Sequence, residues 1–525
     1  MIKKNFFLKF TLTFLFFILF LYYSLNSAIH TDELWTYSES VLFKRGYMPY
    51  SEFFSHRLPM SLFVSYPWLS LFGEGYFNLR LLCVVISTIS IYLFLDLIEK
   101  IFLKNIIIIF SFLILLHKYY FDAQSLLLNM AIFNFFLVLT LRLIFFTNSF
   151  NIKKINIFFF LQGLIFLSRY IVDIQTVLIF SYLFFILGYL FIFHKNKFNK
   201  NIKYILPCAI FIPFVTIYVS LFLEDKIFYD VVTYNLNQSS LMRELIFTKY
   251  DVSIIKKFLI LRYLEFKEFL AVILFFILSF IFYIKKIFHL LKKENNYINN
   301  FKNIIINENL FLFCLVFIIS YYLFYTVTLN DYPITKIYLI YPTIIIICNF
   351  LNDCLTKLKN KKIIIISVFI CTILIQNLKT INVFKFHNIN HYQNIVELNI
   401  NIMRDFDFDN NKDIFLTFNP LLFRYFNVEK NKSMELFSLL HNLNPNEAKY
   451  YNLAHKSTII ENIKNKKYRF IILEEKRIFS GKHMSRILDK NFIIDLKKQI
   501  KLNYFFHSIY PGIASRGNFI VYYNK

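Results

Sequence analysis

Asp32 and Glu33 are adjacent carboxylates in the segment HTDELWTYSES (residues 30–40), and an apolar run from Phe10 to Ala28 ends just before them. A charged pair at that point stands where the chain has left a bilayer, level with the headgroups. A carboxylate held at such an interface is partly desolvated, which raises its pKa toward the range a general base needs. Asp32 is the residue in position for that work. Neighbouring residues on a regular backbone point to different sides, so Glu33 need not share the task. It orients an acceptor, binds a cation or faces water, and the last is the expectation.

The elements that must hold this pair are read from composition. Of 525 residues, 57% are hydrophobic and only 17% charged, against about 25% charged in an ordinary soluble domain. Apolar runs of spanning length recur along the whole chain, as in a polytopic membrane protein. The net charge is +25. The lysines fall mostly in short loops between apolar runs, so they set orientation in a membrane and do not point to nucleic acid. Phe, Ile, Tyr, Asn and Lys share AT-rich codons, so the 20% aromatic content is read as lipid-facing and core filler. The six cysteines are Cys83, Cys208, Cys314, Cys348, Cys354 and Cys371. Five lie in apolar runs and one in an expected cytoplasmic loop, so no disulfide framework and no zinc spacing is present.

The first run follows Lys3, Lys4 and Lys9 and resembles a signal peptide. Its length and the spans after it favour an uncleaved first span. Further spans are expected at about 78–98, 101–117, 124–146, 155–169, 173–193, 203–223, 264–284, 309–329, 334–351 and 363–378, about eleven in all. With the N-terminus inside, the lysine-rich loops at 195–203, 285–302 and 357–362 are cytoplasmic, while the short outer loops carry Lys118, Arg169 and Lys336. Three long segments then lie outside: 29–77, 224–262 and everything after about 378. The expected fold is an all-α polytopic membrane bundle, with interfacial helices in the first external loop and a small C-terminal external α/β domain. Two domains follow, a transmembrane module over 1–378 with its catalytic loop at 29–77, and an extracytoplasmic domain over 379–525. Strand-like runs in the latter are 413–418, 468–475 and 518–523, and YPGIASRGNFIVYYNK (510–525) reads as a turn into a final strand.

The first external loop gathers both tryptophans, Trp35 and Trp68, with Pro49, Pro59 and Pro67, in a chain poor in both residue types. Aromatic amphipathic segments of this kind lie in the membrane interface. Asp32-Glu33, Gly46-x-x-Pro49, Arg57 before Pro59, Phe72-Gly73-Glu74 and Arg80 opening the second span follow in that order. This order resembles the polytopic glycosyltransferases of the GT-C class that use lipid-phosphate sugars, among them the protein O-mannosyltransferases and the aminoarabinose transferase of lipid A. The match is close over about fifty residues and loose to about residue 350. In that family the loop after the first span carries the catalytic Asp, and Asp32 occupies its place. Two departures stand out. Trp35 stands where the aminoarabinose transferases carry an Arg, and TKIYLIYP (335–342) only loosely echoes a later aromatic-to-proline motif, through Lys336, Tyr338 and Pro342.

The resemblance implies transfer of a sugar from a polyprenyl phosphate, undecaprenyl or dolichyl, to an extracytoplasmic glycan, lipid or protein, with inversion at the anomeric carbon. Asp32 is then the base, with Glu33 beside it. The leaving phosphate wants cations where its charge develops: Arg57, Arg169 and Lys336 are the candidates, then Arg80, with Tyr338 as a further binding residue. Each cation except Arg57 has a plain alternative. Arg80 fixes the end of the second span, Arg169 pairs with Asp173, and Lys336 pairs with Asp331 or is a topology exception. No metal ligand set is assigned, though Asp32, Glu33 and His56 could belong to a divalent-cation site. Asp122 is a further carboxylate, read first as a helix-initiating residue. The rival readings are a transporter or flippase of lipid-linked sugars and a non-catalytic envelope assembly protein. A transporter would want charges deep in several spans and a symmetric repeat, and neither is evident here. A bacterial inner membrane with undecaprenyl phosphate is preferred, since the C-terminal VYYNK carries no reticulum signal.

Overall fold

The computed structural model describes residues 2–27, 31–55, 57, 59–102, 104–145, 225–234, 269–286, 309–328, 338–357, 362–381, 413–418, 443–475, 489–513 and 517–524, with a few isolated positions besides. Arg169 and Lys336, and the spans expected at 173–193 and 203–223, lie outside the described residues, as does most of the span expected at 155–169. The chain is mostly helical with one small sheet, and it divides into two compact units.

The first unit comprises Met1–Ser24, Arg80–Val219 and Val252–Lys385. It contains most of α1 (Ile2–Asn26) and α4 (Tyr76–Phe102), with α5 (Asn105–Leu115), α6 (Lys118–Leu126) and α7 (Leu128–Phe145). It continues through α9 (Phe269–Lys286), α10 (Asn309–Thr328), α11 (Ile340–Lys357) and α12 (Lys362–Ile381). Among the described residues, α1 from Phe6, α4, α7 and α9 are long and apolar enough to cross a membrane. The run expected to span at 101–117 forms α5, and the chain bends sharply at its end. α5 and Tyr119–Leu126 of α6 meet at 80°, and His117 caps α6 by accepting the Tyr119 amide at 3.3 Å. Cys354, expected in a loop, sits in α11, whose helix runs on to Lys357.

Packing inside this unit uses the abundant phenylalanines as filler. On α1, Phe16 and Phe20 are fully buried while Phe6, Phe10 and Phe14, on another face at four-residue spacing, are exposed. Phe16 meets Phe112 at 4.5 Å between ring centroids, and Phe20 meets Phe121 at 4.9 Å. Among these apolar helices lies one ionic cluster. Lys9 of α1 reaches Asp96 at 2.7 Å and Glu99 at 2.5 Å on α4, and Arg142 of α7 reaches Asp96 at 2.7 Å. Lys100 joins from the next turn of α4 at 3.0 Å. One carboxylate thus ties three helices, and removing it leaves several cations facing each other in a weakly solvated place.

The second unit comprises Leu25–Leu79, Ser220–Asp251 and Phe386–Lys525. Of the three long segments expected outside the membrane, 29–77 falls wholly in it, 224–262 as far as Asp251, and the last from Phe386 on. It holds α2 (Thr31–Lys44), α3 (Met60–Phe72), the short α8 (Asp225–Phe228) with a π-helical turn at Tyr229–Thr233, and a small α/β assembly. The assembly runs β1 (Phe415–Thr417), α13 (Pro445–Tyr450), α14 (Lys456–Lys464), β2 (Phe470–Glu474), α15 (Lys490–Asn503), β3 (Tyr504–Ile513) and β4 (Gly517–Asn524). The sheet order is β1-β2-β4-β3, with β1 parallel to β2 and the other pairs antiparallel. Phe415, Phe470, Ile472 and Val521 fill its core. Three strands lie at the strand-like runs 413–418, 468–475 and 518–523. β3 is additional: the segment read only as a turn into the last strand is the second half of a β3–β4 hairpin.

We expect Asp96→Leu to cost about 1–3 kcal/mol, because it removes the carboxylate that Lys9, Lys100 and Arg142 share while Glu99 still serves Lys9. Thermal unfolding in detergent checks this, and a melting temperature equal to wild type contradicts it.

Candidate active site in the first loop

α2 begins at Thr31, so Asp32 and Glu33 occupy its first turn and Lys44 its last, an arrangement that complements the helix dipole. The Asp32 side chain and His56 lie outside the described residues, so the Asp32, Glu33 and His56 grouping does too. Glu33 is only 1% exposed, which corrects the expectation that it faces water. The cause is the burial of α2 on every side: Leu34, Trp35, Tyr37, Val41 and Leu42 are all buried, and so are Thr36, Ser38, Glu39 and Ser40. The helix packs on α3, with Ser65 donating to Ser40 at 2.8 Å.

The motif glycines have backbone reasons. Gly46 (φ +93°) and Gly73 (φ +85°) stop α2 and α3 in the left-handed region. Glu74 of the Phe-Gly-Glu motif then pairs with Arg45 at 3.0 Å and Lys44 at 3.5 Å, and its carbonyl accepts Tyr37 Oη at 2.8 Å. Trp68 Nε1 donates to the Asn78 carbonyl at 2.7 Å. These contacts clamp the two ends of the loop together. On α3, Phe63, Tyr66, Leu71 and Phe72 stay exposed while Leu62, Ser65 and Leu69 are buried, the two-faced pattern of an interfacial helix.

Arg57 is 2% exposed. Its Nη1 donates to Thr36 Oγ1 on α2, four residues after Asp32. Its carbonyl accepts Tyr50 Oη at 2.6 Å and Ser55 Oγ at 3.4 Å. Tyr50 carries the unusual φ of +68°, and its amide donates to the Phe53 carbonyl at 2.8 Å. Asn452 closes the turn from the far end of the chain, its Nδ2 lying 3.3 Å from the Tyr50 carbonyl and 2.9 Å from that of Ser51. Below it Phe54, Tyr229, Tyr234, Ala448 and Leu453 form one apolar cluster, with Tyr229 stacked on Tyr451 at 3.8 Å. All of these residues belong to the second unit.

Two acids missed by sequence reasoning adjoin this turn. Glu39 on α2 is 2% exposed and Asp230, in the π-helical turn, is fully buried. Burial pushes the Asp230 carboxyl up to about 9; the Ser55 amide and Lys226 act against this, and the Glu39 carboxylate adds to it. Burial also raises the Tyr50 phenol well above its ordinary value, and the Glu39 and Asp230 carboxylates add to the effect. Asp230 is therefore a neutral acid at pH 7. A lone Asp in an expected external segment gives no sign of this in sequence, although π-helical turns often mark functional places.

The other candidates lie in the first unit. Arg80 on α4 is 2% exposed and its Nη1 donates to the Ser24 carbonyl near the end of α1. Asp122 sits inside α6 and accepts Tyr23 Oη, so it does not initiate the following span, which begins at Leu128. Ser87 donates to Gln124 at 2.6 and 3.0 Å, to the carbonyl and Oε1. Tyr338 is fully buried, its ring 4.5 Å from that of Phe133. Among the described residues, no three His, Cys, Asp or Glu side chains gather as a metal would require.

No family model matches the chain, and no curated protein matches it either. Solved structures do. ArnT from Cupriavidus metallidurans bound to undecaprenyl phosphate is similar over 99% of this chain and 97% of its own, with a TM-score of 0.57 at 10% identity. The apo state of the same protein is similar over 97% and 96%, with a TM-score of 0.52 at 9% identity. The chain has the ArnT fold. ArnT is an aminoarabinose transferase of the GT-C class, so the polytopic architecture expected from the loop motif is the one found. At this identity the ArnT likeness carries the fold and not the residue roles.

The Asp230 carboxyl gives a pH signature. Below about 4 its proton is on in both folded and unfolded chains. As pH rises toward about 9, only the unfolded chain ionises, so stability falls through that window. Asp230→Asn cannot ionise. Its melting temperature is expected to decline less between about pH 6 and about pH 9 than that of wild type, and parallel profiles would contradict this assignment.

Proposed function

We propose that the protein is a membrane glycosyltransferase that moves a sugar from a polyprenyl-phosphate carrier to an acceptor on the extracytoplasmic side. The observation that carries this reading is the ArnT fold over nearly the whole chain, in a relative whose structure holds undecaprenyl phosphate. The order of loop residues beginning at Asp32 supports it independently.

In this reading the carrier's tail stays in the bilayer and its phosphate lies at the outer interface. An acceptor hydroxyl or amine attacks the anomeric carbon from the face opposite the phosphate. The new carbon–acceptor bond forms as the carbon–oxygen bond to phosphate breaks, which inverts configuration. Asp32 takes the acceptor's proton. Asp32 lies in the first turn of α2. The bond electrons leave on the phosphate oxygen, and a guanidinium stabilises that charge. Arg57 is the assigned group, since its contact with Thr36 sets it against the helix that bears Asp32. Arg169, Lys336 and Arg80 are secondary candidates for the same task. Glu33, buried on the same helix turn, supports Asp32 without contacting the reacting atoms. The sugar, the acceptor and any divalent cation are left unassigned. The chain belongs in the cell's inner membrane, with the N-terminus cytoplasmic and the C-terminal α/β domain outside.

Two measurements test this. Purified Asp32→Asn is expected to lose sugar transfer by roughly a hundredfold or more, while still binding undecaprenyl phosphate. Normal turnover in that variant removes Asp32 from the role of base. Single cysteines placed in the first loop are expected to react with an impermeant thiol reagent added to intact cells, and labelling only after cell lysis would reverse the orientation.

A further inference from the structure

The α/β part of the second unit encloses a cavity of about 340 Å³ between α13, α14 and the turn leading into β2. That volume is at the low end for small-molecule sites. Its apolar floor includes Leu453 and Ile459, and its wall carries Lys449, Lys467, His455, Thr458, Asn462 and Tyr468. Among the described residues no carboxylate lines it, and both charged side chains in that wall are lysines.

The wall presents donors. Nδ1 of His455 accepts the Ser457 amide at 3.2 Å, so in the neutral ring the proton sits on Nε2. Asn462 Nδ2 donates to Tyr468 Oη at 3.1 Å, which leaves the phenolic hydrogen to be given elsewhere. Burial raises the Tyr468 pKa, so the phenol keeps that hydrogen at neutral pH. Two ammonium groups and the N-terminal turn of α14 add positive potential. A small cavity with an apolar floor, several neutral hydrogen-bonding groups and cationic charge on its described wall matches one ligand chemistry: a sugar ring, apolar on its C–H face, bearing a phosphate or carboxylate.

We propose that this cavity is a binding subsite for an anionic saccharide, the charged end of the glycan that accepts the transferred sugar. The role as acceptor rests on the transferase reading; the binding itself does not. Ammonium contacts fix the anion, and the hydroxyl and amide groups read the ring.

Equilibrium dialysis of the full-length protein in detergent against labelled glucose 6-phosphate, glucuronate, glucose and inorganic phosphate tests it. Saturable binding of both charged sugars is expected, with glucose weaker by about tenfold or more, the worth of one charged hydrogen bond. Lys449→Gln/Lys467→Gln is expected to weaken the charged sugars by a similar factor, and Thr458→Trp to block them by filling the cavity. Lys456→Gln/Lys464→Gln, which removes equal charge outside the cavity wall, is expected to bind as wild type does. Equal binding by wild type and both cavity variants, or no saturable binding at all, overturns the proposal. Inorganic phosphate binding as tightly as glucose 6-phosphate overturns the saccharide part. Undecaprenyl phosphate binding is measured alongside. Its absence in wild type strikes the transferase reading and leaves the cavity result standing.

Discussion

The turn from Pro49 to Arg57 depends on satisfying buried backbone groups away from water. Its residues Tyr50, Phe53, Phe54, Ser55 and Arg57 are all buried, so each carbonyl there needs a donor. The chain supplies them from itself and from afar: Tyr50 serves the Arg57 carbonyl, and Asn452 serves Tyr50 and Ser51. A tyrosine at positive φ is strained, and the surrounding contacts hold it there. With that turn fixed, the Arg57 guanidinium reaches Thr36 on α2, and the helix acquires a cationic neighbour one turn on from its start.

The bundle solves a related problem by other means. In an apolar environment polar groups pair with each other or they are costly. Asp96 gathers Lys9, Lys100 and Arg142, and elsewhere Tyr23 finds Asp122, Arg80 finds the Ser24 carbonyl and Ser87 finds Gln124. These contacts specify which helices are neighbours, because interlocking phenylalanines alone would accept several arrangements. The break between α5 and α6 belongs to the same pattern, since it places Asp122 and Gln124 on a helix of their own.

Much of this was legible in the sequence. Apolar runs of spanning length announced α1, α4 and α7, and the concentration of proline, glycine and tryptophan set the first loop apart. Gly46 and Gly73 stand where the chain needs left-handed backbone, so these two glycines of the motif have a local reason. What stayed hidden was burial of polar groups by distant segments. Glu33, read as facing water, is enclosed by the packing around α2. Glu39 and Asp230 are separated by 191 residues, and neither carries a motif, so only the fold shows that they are neighbours. β3 was obscured because YFFHSIY lacks a clean alternation of apolar and polar residues, and a register shift between Phe506 and Ser508 interrupts its pairing with β4.

Asn452 has a consequence for biogenesis. It lies 402 residues beyond Tyr50, so the turn that holds Arg57 is completed by a part of the chain made long after it. Until the ribosome has passed that point, the Tyr50 and Ser51 carbonyls lack the donor that Asn452 brings. The order of synthesis therefore leaves the early turn unfinished until the segment that carries Asn452 has been delivered.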